Sequence, residues 1–248
     1  MGNETTMVPW DSKGVDYGNK YAGAGERISE RTTPVLHVVQ TNSPEFEEFR
    51  TAKPGDLVIR IGGKDNADNP NIGTSFHGVV VARGIEYLWW GPRGEGGGPI
   101  ARCVKGNPIP EGCDERDTKW PSEGGTPNKN QKGKDVPKAT ETRTFIVSIL
   151  KDGKPQDPMM VTYQSGSAKL GQQLNLALNN FISGPNNAPL FGAIARFYTE
   201  RIKSKDGEPF YALKFERAGV MPASDTASLD TLLDWHQKLQ PMLKPMKR

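Results

Sequence analysis

Residues 75–90, SFHGVVVARGIEYLWW, decide how this sequence can fold. The run is rich in β-branched and aromatic residues, which favour strands, and it is about three times as long as a usual strand. Gly78 and Gly84 interrupt it, and a glycine inside a strand marks a bulge or a bend. The stretch therefore predicts one long, bent strand that can curl around a barrel.

Shorter strand patterns and two helical patterns flank this long strand. Strands are predicted at 35–40, 55–61, 144–150, 159–164, 190–203 and 208–217, and the last two flank the hairpin signal Asp206-Gly207. One helix is predicted from the N-cap Ser167 to Gly184-Pro185, because apolar residues recur there at three- and four-residue spacing. A second helix is predicted from Ser228, with Leu229, Leu232, Leu233, His236 and Leu239 along one side.

The order of these elements predicts a mainly β fold with helices, an α+β arrangement. Five principal strands, with a helix between the third and the fourth, follow the order of an OB-fold, a small, partly open barrel that binds oligonucleotides or oligosaccharides. A different mixed barrel or a sandwich is the alternative.

The predicted domain organisation has three parts. Residues 1–34 form an N-terminal arm, 35–217 form the OB-like domain, and 218–248 form a C-terminal helix with a basic tail. An insertion at about 91–143 has little apolar periodicity and is predicted to be flexible, with 121–141 poorly ordered, because its composition cannot bury enough apolar surface.

Composition limits the classes of function. The net charge of +3 is mildly basic, which is compatible with a polyanionic partner if the charge is clustered. The sequence shows no signal-peptide pattern and no segment near the roughly 18 apolar residues that cross a membrane, so a soluble, cytoplasmic protein without a membrane partner is expected.

Cofactor and enzyme signatures are missing from the sequence. Cys103 and Cys113 are the only cysteines, and they are interpreted as reduced thiols, with a zinc site as the alternative. The glycine track GPRGEGGGP at 91–99 lacks the phosphate-loop pattern, and no hydrolase or metalloprotease motif occurs. We therefore expect no cofactor and no enzymatic activity.

Four segments carry a resemblance to a known group of proteins. The segments TPVLHVVQTNSPEF, AKPGDLV and IEYLWWGPRGEGGG resemble phage proteins found with replication and recombination functions. The late segment APLFGAIARFYTERIKSKDGEPFYALKFE is similar to phage single-stranded DNA-binding proteins. The resemblance implies an OB-fold that coats single-stranded DNA. One departure is the C-terminal stretch 238–248, which is basic where such proteins often carry an acidic tail that recruits partners.

The candidate binding residues combine cations for phosphates with aromatic rings for bases. Strand alternation places Tyr87 and Trp89 on an outward face as base stackers and Trp90 on the core side, with Arg93 just beyond. On the two late strands, the predicted contacts are Arg196, Tyr198, Arg201, Lys203, Lys205, Phe210 and Lys214. The alternative is that the aromatic rings pack in the core and the charges are merely solvated.

The leading functional hypothesis is a single-stranded DNA-binding protein of phage replication or recombination that binds without sequence preference. A protein-interaction module using the same aromatic face, such as a recombination mediator or a host-defence antagonist, is the main alternative. An enzyme with dispersed catalytic residues, such as a nuclease, is a third. The expected partners are single-stranded DNA and replication or recombination proteins, and self-association into a homo-oligomer stays open.

Overall fold

The computed structural model describes residues 33–41, 52–61, 70–90, 99–129, 133–184, 188–204 and 207–244. In these ranges the chain forms a curled sheet and two α-helices. The strands are β1 (Val35–Val38), β2 (Leu57–Arg60), β3 (Ser75–Trp90), β4 (Pro99–Val104), β5 (Ala139–Lys151), β6 (Lys154–Pro155), β7 (Met159–Gln164), β8 (Ala193–Lys203) and β9 (Pro209–Val220). The helices are α1 (Ala168–Ile182) and α2 (Thr226–Leu239). The predicted β-rich α+β class is confirmed.

The long strand β3 organises the sheet. The strand order is β2-β1-β7-β5-β3-β8-β9, with β4 also paired to β3 and β6 to β5. On one edge β3 pairs with β5, and on the other it pairs first with β8, at Ser75–Val79, and later with β4, at Glu86–Trp90. The predicted single bent strand is confirmed, and its register shift lies between Val80 and Ala82 rather than at Gly78 or Gly84.

The sheet is covered on both faces. We call inner the face that carries Phe76 and Val80, which pack with Leu174 and Leu178 of α1. The outer face carries Val79 and Val81, and its core includes α2 residues Leu229 and Leu232. Burying a leucine fully is worth about 1.5–3 kcal/mol, so the two helices anchor the sheet from opposite sides.

Side chains close the sheet where strands do not. The curl brings β9 beside the end of β1, and there the Gln40 amide accepts a hydrogen bond from the Tyr211 backbone N–H and donates one to the Tyr211 carbonyl, both at 2.8 Å. Nearby, the Thr199 hydroxyl donates to the Gly55 carbonyl at 2.6 Å. We call this contact between β1 and β9 the seam.

A second pair of side chains fills the gap along β3 between β8 and β4. Gln240, just after α2, accepts from the Arg83 backbone N–H at 3.1 Å and donates to the Arg83 carbonyl at 2.9 Å. Nδ1 of His236 lies 2.6 Å from the Val81 carbonyl oxygen and donates to it. The C-terminal helix therefore satisfies the strand edge that β8 leaves uncovered.

The segment predicted as a flexible insertion contains regular elements. β4 pairs with β3, two 3₁₀ turns span Glu115–Thr118 and Pro121–Glu123, and β5 begins at Ala139, earlier than the predicted 144. Composition missed these elements because they are short and are stabilised by contacts with β3. Neither helix of the described chain has the length and apolar character that crossing a membrane requires.

Candidate nucleic-acid interface

The predicted binding residues fall on two separate parts of the sheet. Tyr87 and Trp89 lie near the end of β3, at least eight residues beyond its last pair with β8. The β8–β9 hairpin carries Arg196, Tyr198, Arg201, Lys203, Phe210 and Lys214. The shift in β3 puts Tyr87 on the inner face, whereas Arg196 and Tyr198 face outward. Arg93, Lys205 and the side chain of Trp90 lie outside the described residues.

On the outer face of the hairpin, two predicted cations are already paired with acids. Arg196 lies 2.8 Å from a Glu216 carboxylate oxygen, and Lys214 lies 2.7 Å from one of Glu200. Tyr198 is half-buried, and the Arg196 guanidinium lies 5.5 Å from its ring centroid. These charges cancel within the face, so its attraction for phosphate is weaker than the count of cations indicates.

The hairpin tip is different. Arg201 and Lys203 are exposed, and neither side chain forms an ion pair with an acidic residue in the described ranges. Phe210 is half-buried and its ring packs near Gly166, so only part of it is open to a ligand. The tip therefore offers unpaired positive charge on one face of the hairpin, and Phe210, which is paired with Ile202, lies on the opposite face.

Tyr87 lies between β4 and β5, opposite Cys103 and Glu141. Its ring is half-buried, and the Lys105 ammonium lies 5.6 Å from the ring centroid, within the range of a cation–π contact. Lys105 also donates to Glu141 at 2.8 Å, and this hydrogen bond is the main reason that the pKa of Lys105 is raised. The Lys105 ammonium therefore lies over one face of the Tyr87 ring, and sites that bind single strands combine such rings with nearby cations.

Trp89 is not available for stacking. Its side chain is 1% exposed, so the prediction that it faces solvent is wrong. The small residues Ala101 and Ala139 lie opposite it on the neighbouring strands, and its indole N–H donates to Asp117 at 3.0 Å. Leu88 is buried as well, because both faces of this part of β3 are covered.

Asp117 anchors the turn that covers Trp89. Its buried carboxylate also accepts from the Thr126 hydroxyl at 2.6 Å and the Asp114 backbone N–H at 3.3 Å, and Lys138 lies 3.3 Å away. Burial raises the pKa of Asp117, but these donors and the Trp89 indole outweigh burial and hold the pKa below its ordinary value. Sequence reasoning missed this residue, although the spacing of Asp114 and Asp117 is a capping signal.

A polar pocket lies where α1 crosses β3 and β5. Its volume is about 250 Å³, and it is lined by Arg83, Gly84, Ile85, Arg143, Phe145, Asn175 and Asn179. Sequence reasoning missed both arginines. The available signal is Arg83 itself, a lone charge inside the apolar run VVVARGI.

A larger and more apolar cavity of about 370 Å³ lies between β4 and the end of α2. Met160, Leu239 and Leu243 line it, together with the buried Glu86, which pairs with Arg102 at 2.8 Å and accepts a hydrogen bond from Thr144. The lining residue Met242 is 56% exposed, and Ile100 of β4, two residues before the lining residue Arg102, is 70% exposed.

The two cysteines are not joined by a disulfide bond. Cys103 and Cys113 are free thiols, and the pKa of Cys103 is raised by burial and, to a smaller extent, by Glu86 and Cys113. Nowhere in the described part of the chain do three His, Cys, Asp or Glu side chains come together as metal ligands.

Comparison with known proteins shows a match to a phage protein family. The family described as Pam3 phage gp34-like protein matches residues 5–232 of the 248. No curated protein and no solved structure matches the chain.

Proposed function

We propose that this chain, which belongs to the Pam3 phage gp34-like family, binds single-stranded DNA during phage replication or recombination, through a barrel of the OB type. The proposal assigns no catalytic step.

The observation that carries the proposal is the order of strand pairing. β3 pairs with β5 and with β8, β5 pairs with β7, β8 pairs with β9, and α1 lies between β7 and β8 in the chain. Five strands with a helix between the third and the fourth are the OB-fold order. In this scheme β1 and β2 are an additional hairpin that fills the space between β7 and β9.

In OB-folds, oligonucleotides bind to the face of strands 2 and 3 and to the connections between strands 1 and 2 and between strands 4 and 5. The corresponding connections here are 91–138 and 204–208. Tyr87 lies near the first, and Arg201 and Lys203 lie near the second. Arg93 and Lys205 belong to the same two connections but lie outside the described residues.

The chemistry of these positions suits binding without sequence preference. Arg201 and Lys203 supply unpaired charge for phosphates, and Tyr87 supplies a ring on which a base of any kind can stack. Arg196 and Lys214 contribute less, because each is already neutralised by a glutamate.

The experiment is a titration of labelled oligo-dT at several salt concentrations. We expect affinity to fall steeply with salt, with a slope of about −0.7 per phosphate contacted. Arg201→Gln should make this salt dependence less steep by about 0.7, the share of one phosphate contact. Arg196→Gln is the matched control on the same strand and should change the slope less, because Glu216 already forms an ion pair with Arg196. Salt-independent affinity, or Mg²⁺-dependent cleavage of the oligonucleotide, would contradict the proposal.

A protein-interaction module is the second candidate, and the apolar cavity beside α2 favours it. Exposed Met242 lines the cavity, and exposed Ile100 is two residues before the lining residue Arg102 on β4; exposed apolar side chains at a cavity are typical of binding sites for other proteins. Failure of oligo-dT to bind at low salt would put this candidate first.

A further inference from the structure

The polar pocket beneath α1 holds two arginines of adjacent strands. Arg83 of β3 is paired with Phe145 of β5, and Arg143 is two residues before Phe145 on the same strand. The two arginines are therefore diagonal neighbours on the inner face, about 7–8 Å apart, which lets both guanidinium groups reach one small ligand.

Arg83 is held by neutral oxygens only. Its Nη1 donates to the carbonyl and the side-chain oxygen of Asn175, at 3.1 and 2.7 Å, and its Nη2 donates to the side-chain oxygen of Asn179 at 2.7 Å. No carboxylate of the described residues pairs with it. A guanidinium has five N–H donors, so two donors of Arg83 are left over, and burial lowers its pKa.

The charge around the pocket is positive. Glu141 lies 3.2 Å from Arg143 and 2.8 Å from Lys105, so one carboxylate serves two cations. With Arg83 added, this group has three positive charges and one negative charge, and its two arginines are the charged residues that line the pocket. Since both asparagine side-chain oxygens accept from Arg83, the amide NH₂ groups are free to act as further donors.

We propose that this pocket binds a phosphate group between Arg83 and Arg143. Arginine binds phosphate oxygens through paired, charge-assisted hydrogen bonds, and the pocket offers two such groups with an excess of positive charge. A bound phosphate would also compensate the buried charge of Arg83, which its neutral partners do not.

The phosphate can come from two sources. One is a free phosphate or a nucleotide, and the other is the backbone of a nucleic acid, which rests on the proposed function. Tyr87 lies four residues beyond Arg83 on the same face, about 13 Å along the strand, so a strand stacked on Tyr87 could pass the pocket.

The experiment measures binding of inorganic phosphate by calorimetry and by melting temperature, against chloride at equal ionic strength. The main variant is Arg143→Gln, which leaves the Arg83 contacts to α1 intact. Lys151→Gln, an exposed cation at the opposite end of β5, is the matched control. Arg83→Gln is a second variant, and its folding is checked by circular dichroism because Arg83 joins β3 to α1.

We expect phosphate to raise the melting temperature of the wild type, Arg143→Gln to weaken phosphate binding about tenfold or more, and Lys151→Gln to change nothing. No phosphate effect in the wild type, or equal binding by Arg143→Gln, would overturn the proposal.

A second arm separates the sources of the phosphate. If the phosphate comes from nucleic acid, free phosphate should compete with oligo-dT, and Arg143→Gln should lower the affinity for both phosphate and oligo-dT. If oligo-dT does not bind at all while phosphate still does, the proposed function fails and the phosphate site stands.

Discussion

Trp89 provides the sharpest test of this structure, because removing its ring and removing only its hydrogen bond should have different costs. The ring is buried against Ala101 and Ala139, and the indole N–H donates to the buried carboxylate of Asp117. Trp89→Phe keeps most of the buried ring area and removes the donor, whereas Trp89→Ala removes both.

The magnitudes follow from these contacts. A hydrogen bond to a charged group is worth about 1.5–3 kcal/mol, so Trp89→Phe should lower the free energy of unfolding by about that amount. Asp117 keeps its contacts with Thr126, Lys138 and Asp114, which limits the loss. Trp89→Ala leaves a cavity as well and should cost about 3–5 kcal/mol.

Urea denaturation followed by far-ultraviolet circular dichroism measures both losses. With a slope of about 2 kcal/mol per molar urea, Trp89→Phe should lower the midpoint by roughly 1 M without changing the slope. Tyr87→Ala, on the same face two residues away, is the comparison: its half-buried ring should matter less for stability and more for oligo-dT affinity, by about 1–3 kcal/mol. If Trp89→Ala is as stable as the wild type, the burial of Trp89 is refuted.

Two further predictions concern the C-terminal helix and its contacts with β3. Burial lowers the pKa of His236 in the folded protein, so the unfolded chain binds a proton more readily than the folded protein does. The free energy of unfolding should therefore fall as the pH drops below about 6.5, and it should fall less in His236→Gln. Urea midpoints of both proteins at pH 7.5 and 5.5 measure the difference. Equal losses in both proteins would contradict this. A Cβ at Gly84 would overlap the Leu243 carbonyl, so Gly84→Ala should lower the free energy of unfolding by about 1–3 kcal/mol. Gly166→Ala is the control: its Cβ would lie 3.5 Å from the Phe210 ring, an ordinary contact, so this variant should lose less stability in the same urea assay. Similar midpoints for the two variants would count against the close approach at Gly84.

Local patterns predicted most of the fold, because strands and helices can be recognised from the spacing of apolar residues within short segments of the chain. The single long strand β3, helix α1 and the β8–β9 hairpin all follow from such patterns, whereas the register shift of β3 lies between Val80 and Ala82 and not at the glycines that were expected to bend it. The burial of Trp89 could not be predicted in this way, since alternation identifies the two faces of a strand but not which of them is covered. At Leu88 and Trp89 both faces are covered.

The parts of the site that sequence could not predict depend on long-range pairing. The positive charge of Arg196 is paired with a carboxylate because the register of β8 and β9 places Glu216 opposite it. Arg83 meets Asn175, which is 92 positions away in the chain, only because α1 packs on β3. Contacts of this kind follow from the arrangement of elements, which a single sequence specifies weakly.

The seam has a consequence for how the molecule moves. At Gln40 one flexible side chain replaces the backbone of a paired strand, and β1 is paired to β7 in parallel at Val35 and Met160. We therefore expect the β1–β2 hairpin to open before the ladder from β7 to β9, at the cost of exposing Leu36 and Leu57 of the inner core. Amide protons of β1 and β2 should then exchange with deuterium at a lower opening energy than those of β3 and β5, and each opening would bare the edge of β7 to any strand within reach.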